Sequence, residues 1–231
     1  MQMIRMRVIS LISIISIFLV CQVYAQSEKG QLEYQTNPMK VFISDMHPEQ
    51  YDSDIWEKAR SWGNESEVAL YILGDSRIFP YIFTDGVNAK KWIKGNHEFV
   101  IGDKLPNYVL LNNKRTLLIH GHNAEEDNYD ISQFIIRKKI KLSDNYTCKD
   151  ADDWEGSLDD EYIQRLEKLY DWIKGQYRFK DVERVIMGHH HLVYVWKIND
   201  VVFYNTGAGF RGTFIIREIG KTFLCRYSVI R

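Results

Sequence analysis

Apolar and polar positions along this chain fall into short runs that stop at polar residues of a few recurring kinds. Met39 to Ser44 (MKVFIS) is rich in strand formers and breaks at Asp45-Met46-His47-Pro48. Ile55, Trp56, Ala59 and Trp62 then share one face at helical spacing, which predicts a helix before a second strand, Val68 to Leu73, that ends in Gly74-Asp75. The same grammar recurs where Trp92-Ile93-Lys94 gives way to Gly95-Asn96-His97-Glu98. Tyr108 to Leu111 and Thr116 to Ile119 flank Asn112-Asn113-Lys114 as a hairpin, and the second strand runs into His120-Gly121-His122.

The span from His122 to His189 reads mainly as helix, with Tyr162, Leu166, Leu169, Tyr170 and Ile173 at helical spacing. A helical insertion over about residues 125–180 is therefore expected. Beyond it, Val182 to Trp196 sets an apolar run, Gly188, three consecutive histidines (His189, His190, His191) and a run that alternates like a strand. Two hairpins close the chain, one turning at Asn199-Asp200 and one near Gly220. Strands alternating with helices and then hairpins predict a mixed α/β architecture of two packed sheets.

Composition narrows this picture. With 231 residues, 45% of them hydrophobic and 13% aromatic, the chain suits one core and a single globular unit. The formal charge of -1 gives no basic excess to suggest nucleic acid or an anionic membrane. The first 25 residues differ from the rest: Arg5 and Arg7 precede the apolar run Val8 to Val20, no acidic residue appears before Glu28, and Val23-Tyr24-Ala25 offers a cleavage pattern. That is signal-peptide grammar, and the run is too short to span a bilayer comfortably. The expected organisation is a leader at 1–25, a polar linker at 26–38 and one domain at 39–231, exported to the periplasm or medium and free of transmembrane segments once the leader is removed. An uncleaved anchor, or a cytoplasmic protein starting at Met39, are the alternatives. Past the leader stand two cysteines, Cys148 and Cys225, whose pairing the sequence leaves open.

The chemistry sits where the runs end. Five expected strand ends carry Asp45 and His47, Asp75, Asn96 and His97, His120 and His122, and His189 and His191. Taken singly, each has a plain reading: a capped turn, a common loop, or a decorated surface turn. Clustered imidazole and carboxylate groups at the ends of strands also suit metal binding.

Taken together and in order, these blocks resemble the calcineurin-like metallophosphoesterase superfamily, whose pattern is D-x-H, G-D, G-N-H-D/E, a lone H or H-G, and G-H-x-H. The resemblance covers Val41 to about Phe210. It implies a four-layer α/β/β/α sandwich of two mixed β-sheets flanked by helices, with two divalent metal ions at the strand ends. Position by position it implies that Asp45, His47, Asp75 and His191 hold one metal, and that Asp75, Asn96, His120 and His189 hold the other. Such ligands suit manganese, iron or zinc. His120 and His122 remain open to an exchange of roles, and His190 matches a variable position. His97, steered by Glu98, would assist the leaving group.

The implied activity is hydrolysis of a phosphomonoester or phosphodiester by a hydroxide bridging the two metals. A catalytically silent scaffold on the same fold is the alternative. The substrate would be a small-molecule phosphate ester, nucleotide-linked or lipid-linked, with Arg77, Arg137 and Arg211 as candidate contacts. Within the superfamily, the H-G-x block and the Asn205-Thr206-Gly207 turn look most like UDP-2,3-diacylglucosamine hydrolase, whose cytosolic membrane substrate conflicts with an export leader. Phe134, Ile135 and Ile136 beside Arg137, Lys138, Lys139 and Lys141 are expected to form a basic helix face, either solvated or a lid over the site.

Overall fold

A computed structural model of the chain describes residues 30–33, 39–47, 51–76, 87–96, 105–112, 114–122 and 138–230. In chain order its elements are β1 (Gly30–Glu33), β2 (Met39–Ile43), β3 (Tyr51–Ser53), α1 (Ile55–Asn64), β4 (Val68–Ile72), β5 (Lys91–Trp92), β6 (Tyr108–Leu111), β7 (Thr116–Ile119), β8 (Lys138–Asp150), α2 (Asp160–Lys174), β9 (Arg184–Met187), β10 (Val193–Ile198), β11 (Val201–Thr206), β12 (Thr213–Glu218) and β13 (Lys221–Ile230). One sheet runs β1-β6-β7-β9-β11-β10 and the other β3-β8-β13-β12-β2-β4-β5. Both are mixed. The neighbours β2 and β4 are parallel in one sheet, as are β7 and β9 in the other.

Period-two alternation explains the layers. In β2, Phe42 faces the partner sheet while Val41 and Ile43 face outward to α1; in β4, Ala69 and Tyr71 face inward while Leu70 and Ile72 face outward. Between the sheets Phe42 and Tyr71 stack at 5.0 Å and pack among Leu118, Ile186, Ile215 and Leu224. On the outer faces, α1 covers one sheet through Ile55, Ala59 and Trp62, and α2 covers the other through Leu166, Leu169 and Ile173. The result is the expected α/β/β/α sandwich. Asp159 caps α2 by accepting the Tyr162 N–H at 3.0 Å. A buried side chain such as Ile173 stabilises this packing by roughly 2–5 kcal/mol relative to alanine. Among the described residues no helix is long and apolar enough to cross a membrane.

Two expectations change. Residues 138–150, expected within a helical insertion, form the long strand β8, so Lys138, Lys139 and Lys141 belong to a strand rather than to a basic helix face. The reason is that LSDNYTC offers no helical stripe but pairs with β13 on both sides of a register shift, which brings Cys148 opposite Cys225, where the two form a disulfide. Closing a loop of this length is worth roughly 4 kcal/mol in the chain-entropy view. The linker expectation changes too, because Gly30–Glu33 pairs parallel with β6 as an edge strand inside the stretch expected to be a tether. A polar edge strand needs only backbone partners, and it carries no apolar rhythm to announce it.

Candidate metal centre

The two sheets present their polar strand ends to the same place. Beyond β2 the Asp45 N–H donates to the Gly74 carbonyl at 3.1 Å and the His47 N–H to the Asp75 carbonyl at 3.0 Å, so the loops after β2 and β4 stay zipped past the strands themselves. In the other sheet the Gly188 N–H donates to the His120 carbonyl at 3.0 Å. Backbone pairing therefore fixes where the side chains begin before any ligand is present.

Two clusters result. Asp45, His47 and His191 form one, Asp75, His120 and His189 the other, and within each cluster the ligand atoms lie within 4.8 Å of one another. Each cluster draws on both sheets. Asp75 joins them: its Oδ2 lies 3.1 Å from His120 Nε2 and 3.8 Å from His47 Nε2. In the first cluster His47 Nε2 and His191 Nε2 are 2.9 Å apart, and Asp45 Oδ1 lies 3.1 Å from His191 Nε2. Asn96 enters the second, its Oδ1 lying 3.0 Å from His120 Nε2.

The donor atoms fit divalent cations. Asp45 Oδ1 is buried and accepts no hydrogen bond, while Oδ2 accepts the Ser44 hydroxyl and the His189 N–H, the latter at 2.8 Å. An orphaned carboxylate oxygen pointing at two imidazole nitrogens asks for a cation. Burial raises the proton affinity of Asp45, but His120 and His191 outweigh it and hold the carboxyl well below the usual carboxylate range. It remains charged. His120 donates Nδ1–H to the Leu73 carbonyl at 2.7 Å, which turns its Nε2 toward Asp75 and Asn96.

Local backbone supports the same conclusion. Asp45, His47, Asp75, His189 and His191 all have positive φ, between 39° and 71°. The other non-glycine residues of this kind among those described, Asn112, Lys114, Asn199 and Ile219, sit at hairpin turns. Left-handed backbone at a non-glycine residue costs on the order of 1 kcal/mol, and it clusters where function over-determines geometry. The G-D and G-H pairs have steric reasons as well. A Cβ on Gly74 would meet Gly95 Cα and His120 Nδ1, each at 2.7 Å, and one on Gly188 would collide with Ser44 and Asp45.

Of the two histidines on this loop, His120 stands in the second cluster. His122 stands beside the second cluster, its ring 5.4 Å from that of His120, and belongs to neither ligand set. Burial, with His120 and His189 beside it, pushes its pKa down to about 3, so it is a neutral imidazole. His190 is a buried structural residue whose Nδ1 lies 2.7 Å from the Tyr194 hydroxyl. Arg77, His97, Glu98 and Arg137 lie outside the described residues, as do residues 1–25 of the expected leader. Arg211 stacks 5.3 Å from the Phe210 ring, and that ring packs edge-on to His47 and His191.

Sequence reasoning missed the supports. Ser44 shares its hydroxyl contacts with Asp45 and Thr206, and Asn205 donates to the Gly188 carbonyl at 2.5 Å and accepts the Gly207 N–H at 2.9 Å. The polar end of the otherwise apolar β11 was the available signal.

No family model and no curated protein matches the sequence. Solved structures do match in fold. Vps29 from Chaetomium thermophilum is similar at 13% identity over 83% of this chain and 91% of that one, with a TM-score of 0.50. A conserved protein from Streptococcus pneumoniae described as a predicted phosphoesterase follows at 17% identity, 85% and 99% coverage and a TM-score of 0.47. A metallophosphoesterase from Sphaerobacter thermophilus has 12% identity, 85% and 90% coverage and a TM-score of 0.46. None of the three is described as a UDP-2,3-diacylglucosamine hydrolase. The chain therefore shares the fold of Vps29, two packed mixed sheets, and gathers its Asp and His clusters at the strand ends of that fold.

Proposed function

We propose that this protein is a metal-dependent hydrolase of phosphomonoesters or phosphodiesters. The observation that carries this reading is Asp75, whose single oxygen Oδ2 reaches histidines of both clusters. One carboxylate shared between two imidazole sets suits a pair of cations held close together. In this reading Asp45, His47, Asp75 and His191 hold one ion, and Asp75, Asn96, His120 and His189 the other. The donor set of imidazole, carboxylate and amide oxygen with no thiolate favours manganese, iron or zinc.

Two bound divalent ions would supply Lewis acidity toward the phosphoryl oxygens and an activated water. The chain's own residues supply the rest. Asp45 and Asp75 keep the pair of sites anionic, His120 is held in one tautomer by Leu73, and the zipped loops fix the separation of the two clusters. His97, next to Asn96 in sequence, is proposed to give a proton to the departing oxygen, with Glu98 orienting it. Export is part of the proposal. The leader grammar supports it, and so does the Cys148–Cys225 disulfide, since such bonds persist in oxidising compartments.

The test uses purified full-length protein loaded with manganese, offered an aryl phosphate monoester and a diester, beside Asp75→Ala and His97→Ala. Turnover of either ester is expected, lost together with bound metal in Asp75→Ala, and slowed with metal retained in His97→Ala. Metal binding with no turnover of either ester would instead point to a silent binding protein on this fold. Wild-type turnover insensitive to chelation would overturn the mechanism. Exported material should begin at Gln26; a product beginning at Met1 or Met39 removes the export claim.

A further inference from the structure

Beside the metal centre lies a hollow of about 360 Å³ whose lining includes His191, Trp154, Leu192, Val193, Arg211 and Arg226. A second hollow of about 240 Å³ shares Trp154, Val193 and Arg226 with it. Because His191 is also part of the first cluster, the hollow adjoins the candidate metal site directly. Its walls combine two features. Leu192 is 41% exposed and the half-buried Trp154 offers an indole, so one side is apolar. Two guanidinium groups, Arg211 and Arg226, supply charge, and among the described residues lining either hollow none is acidic.

The parts are held in place. Arg211 stacks on Phe210, whose backbone N–H donates to the Asp45 carbonyl at 3.3 Å, which ties one cation to the ligand loop. Gly156 lies so close to the Trp154 indole nitrogen that a Cβ there would collide with it, and Lys149 stands 5.8 Å over the same ring. Arg226 projects from β13, where its neighbour Cys225 is bonded to β8. Exposed apolar surface beside two guanidinium groups suits a ligand that brings both an apolar body and negative charge.

We infer that this hollow selects phosphoesters that carry, beyond the phosphate at the metal centre, an apolar or aromatic body and a second anionic group, with Arg226 as a specificity-determining residue. The inference rests on the phosphoesterase reading and adds the class of substrate to it. The geometry divides the work: Leu192 and Trp154 receive the body, Arg211 and Arg226 receive the charge, and His191 marks the boundary with the ligand cluster.

The experiment measures inhibition of aryl phosphate or bis-aryl phosphate hydrolysis by the manganese-loaded protein, with two competitors that differ by one phosphate, adenosine 5′-monophosphate and adenosine 3′,5′-bisphosphate. A charge-assisted contact is worth enough that the bisphosphate should bind roughly tenfold tighter or more. Arg226→Ala should bring the ratio of the two inhibition constants close to one, and Arg226→Lys should restore part of it. Lys197→Ala, on the exposed face of β10, should leave the ratio as it is and so controls for net charge. Equal inhibition by both competitors in the wild type, or an unchanged ratio in Arg226→Ala, overturns the inference while leaving the phosphoesterase reading intact. Failure to hydrolyse either reporter ester removes that reading, and this one with it.

Discussion

The floor of the metal centre and the β8–β13 ribbon are built by opposite means. At the floor, buried polar groups converge: Asp45, His47, Asp75 and His120 are nearly inaccessible, and most of the clustered Asp and His residues hold left-handed backbone. In the ribbon, Cys148 is bonded to Cys225, and Tyr227 packs its ring against Phe214 of β12 and Trp62 of α1, which also pack on each other. One region concentrates unfavourable features that a cation would offset, and the other concentrates favourable ones. Stability and chemistry should therefore separate under mutation.

The largest expected effect is that of Asp75→Ala. It should lower turnover by on the order of a thousandfold or more and empty both metal positions, read by elemental analysis, while the metal-free protein keeps a cooperative thermal transition. Loss of the fold in that variant would break the comparison, because it would make the floor a structural element. In the ribbon, Cys148→Ser should lower unfolding stability by roughly 4 kcal/mol in denaturant titration, with metal content retained. Chelation should lower the melting temperature of the wild type, since ions that bind the native state alone stabilise it, and should leave that of Asp75→Ala where it was.

Smaller effects sharpen the contrast. Ser44→Ala removes the hydroxyl that Asp45 Oδ2 accepts, and metal affinity measured by competition with a chelator should weaken by roughly 10- to 100-fold. In the ribbon, burial raises the Tyr227 pKa above its ordinary value, with Tyr146 adding to the shift. A raised folded-state pKa means that the contribution is complete below the unfolded value and is lost as pH rises toward the folded one. Stability should thus fall above about pH 10, and Tyr227→Phe should flatten that fall in thermal melts.

Much of this was legible because short-range physics wrote it. The hairpin at Asn112-Asn113-Lys114, the buried face of α1 and the buried positions of α2 follow from turn chemistry and helical spacing alone. The clustered Asp and His positions were legible in order because each sits where an apolar run ends. β8 and β1 were not, since one is specified by pairing with β13 far along the chain and the other by backbone bonds to β6. The supporting contacts of Ser44 and Asn205 were not legible for a related reason: a residue that acts through a hydrogen bond to a clustered side chain or its loop carries no spacing rule.

The sequence by itself determined which side chains stand at strand ends, because the strand period and its stop signals are local. It could not choose between His120 and His122, two residues apart on one loop. That choice belongs to the tertiary structure, where packing of the two sheets turns His120 Nδ1 onto the Leu73 carbonyl and its Nε2 toward Asp75, and leaves His122 beside the cluster as a neutral ring. Both clusters likewise exist only once the sheets meet, since each takes its aspartate from one sheet and histidine from the other. A metal site of this kind depends on distances between strands remote in sequence, and those distances are set by side-chain packing across the core.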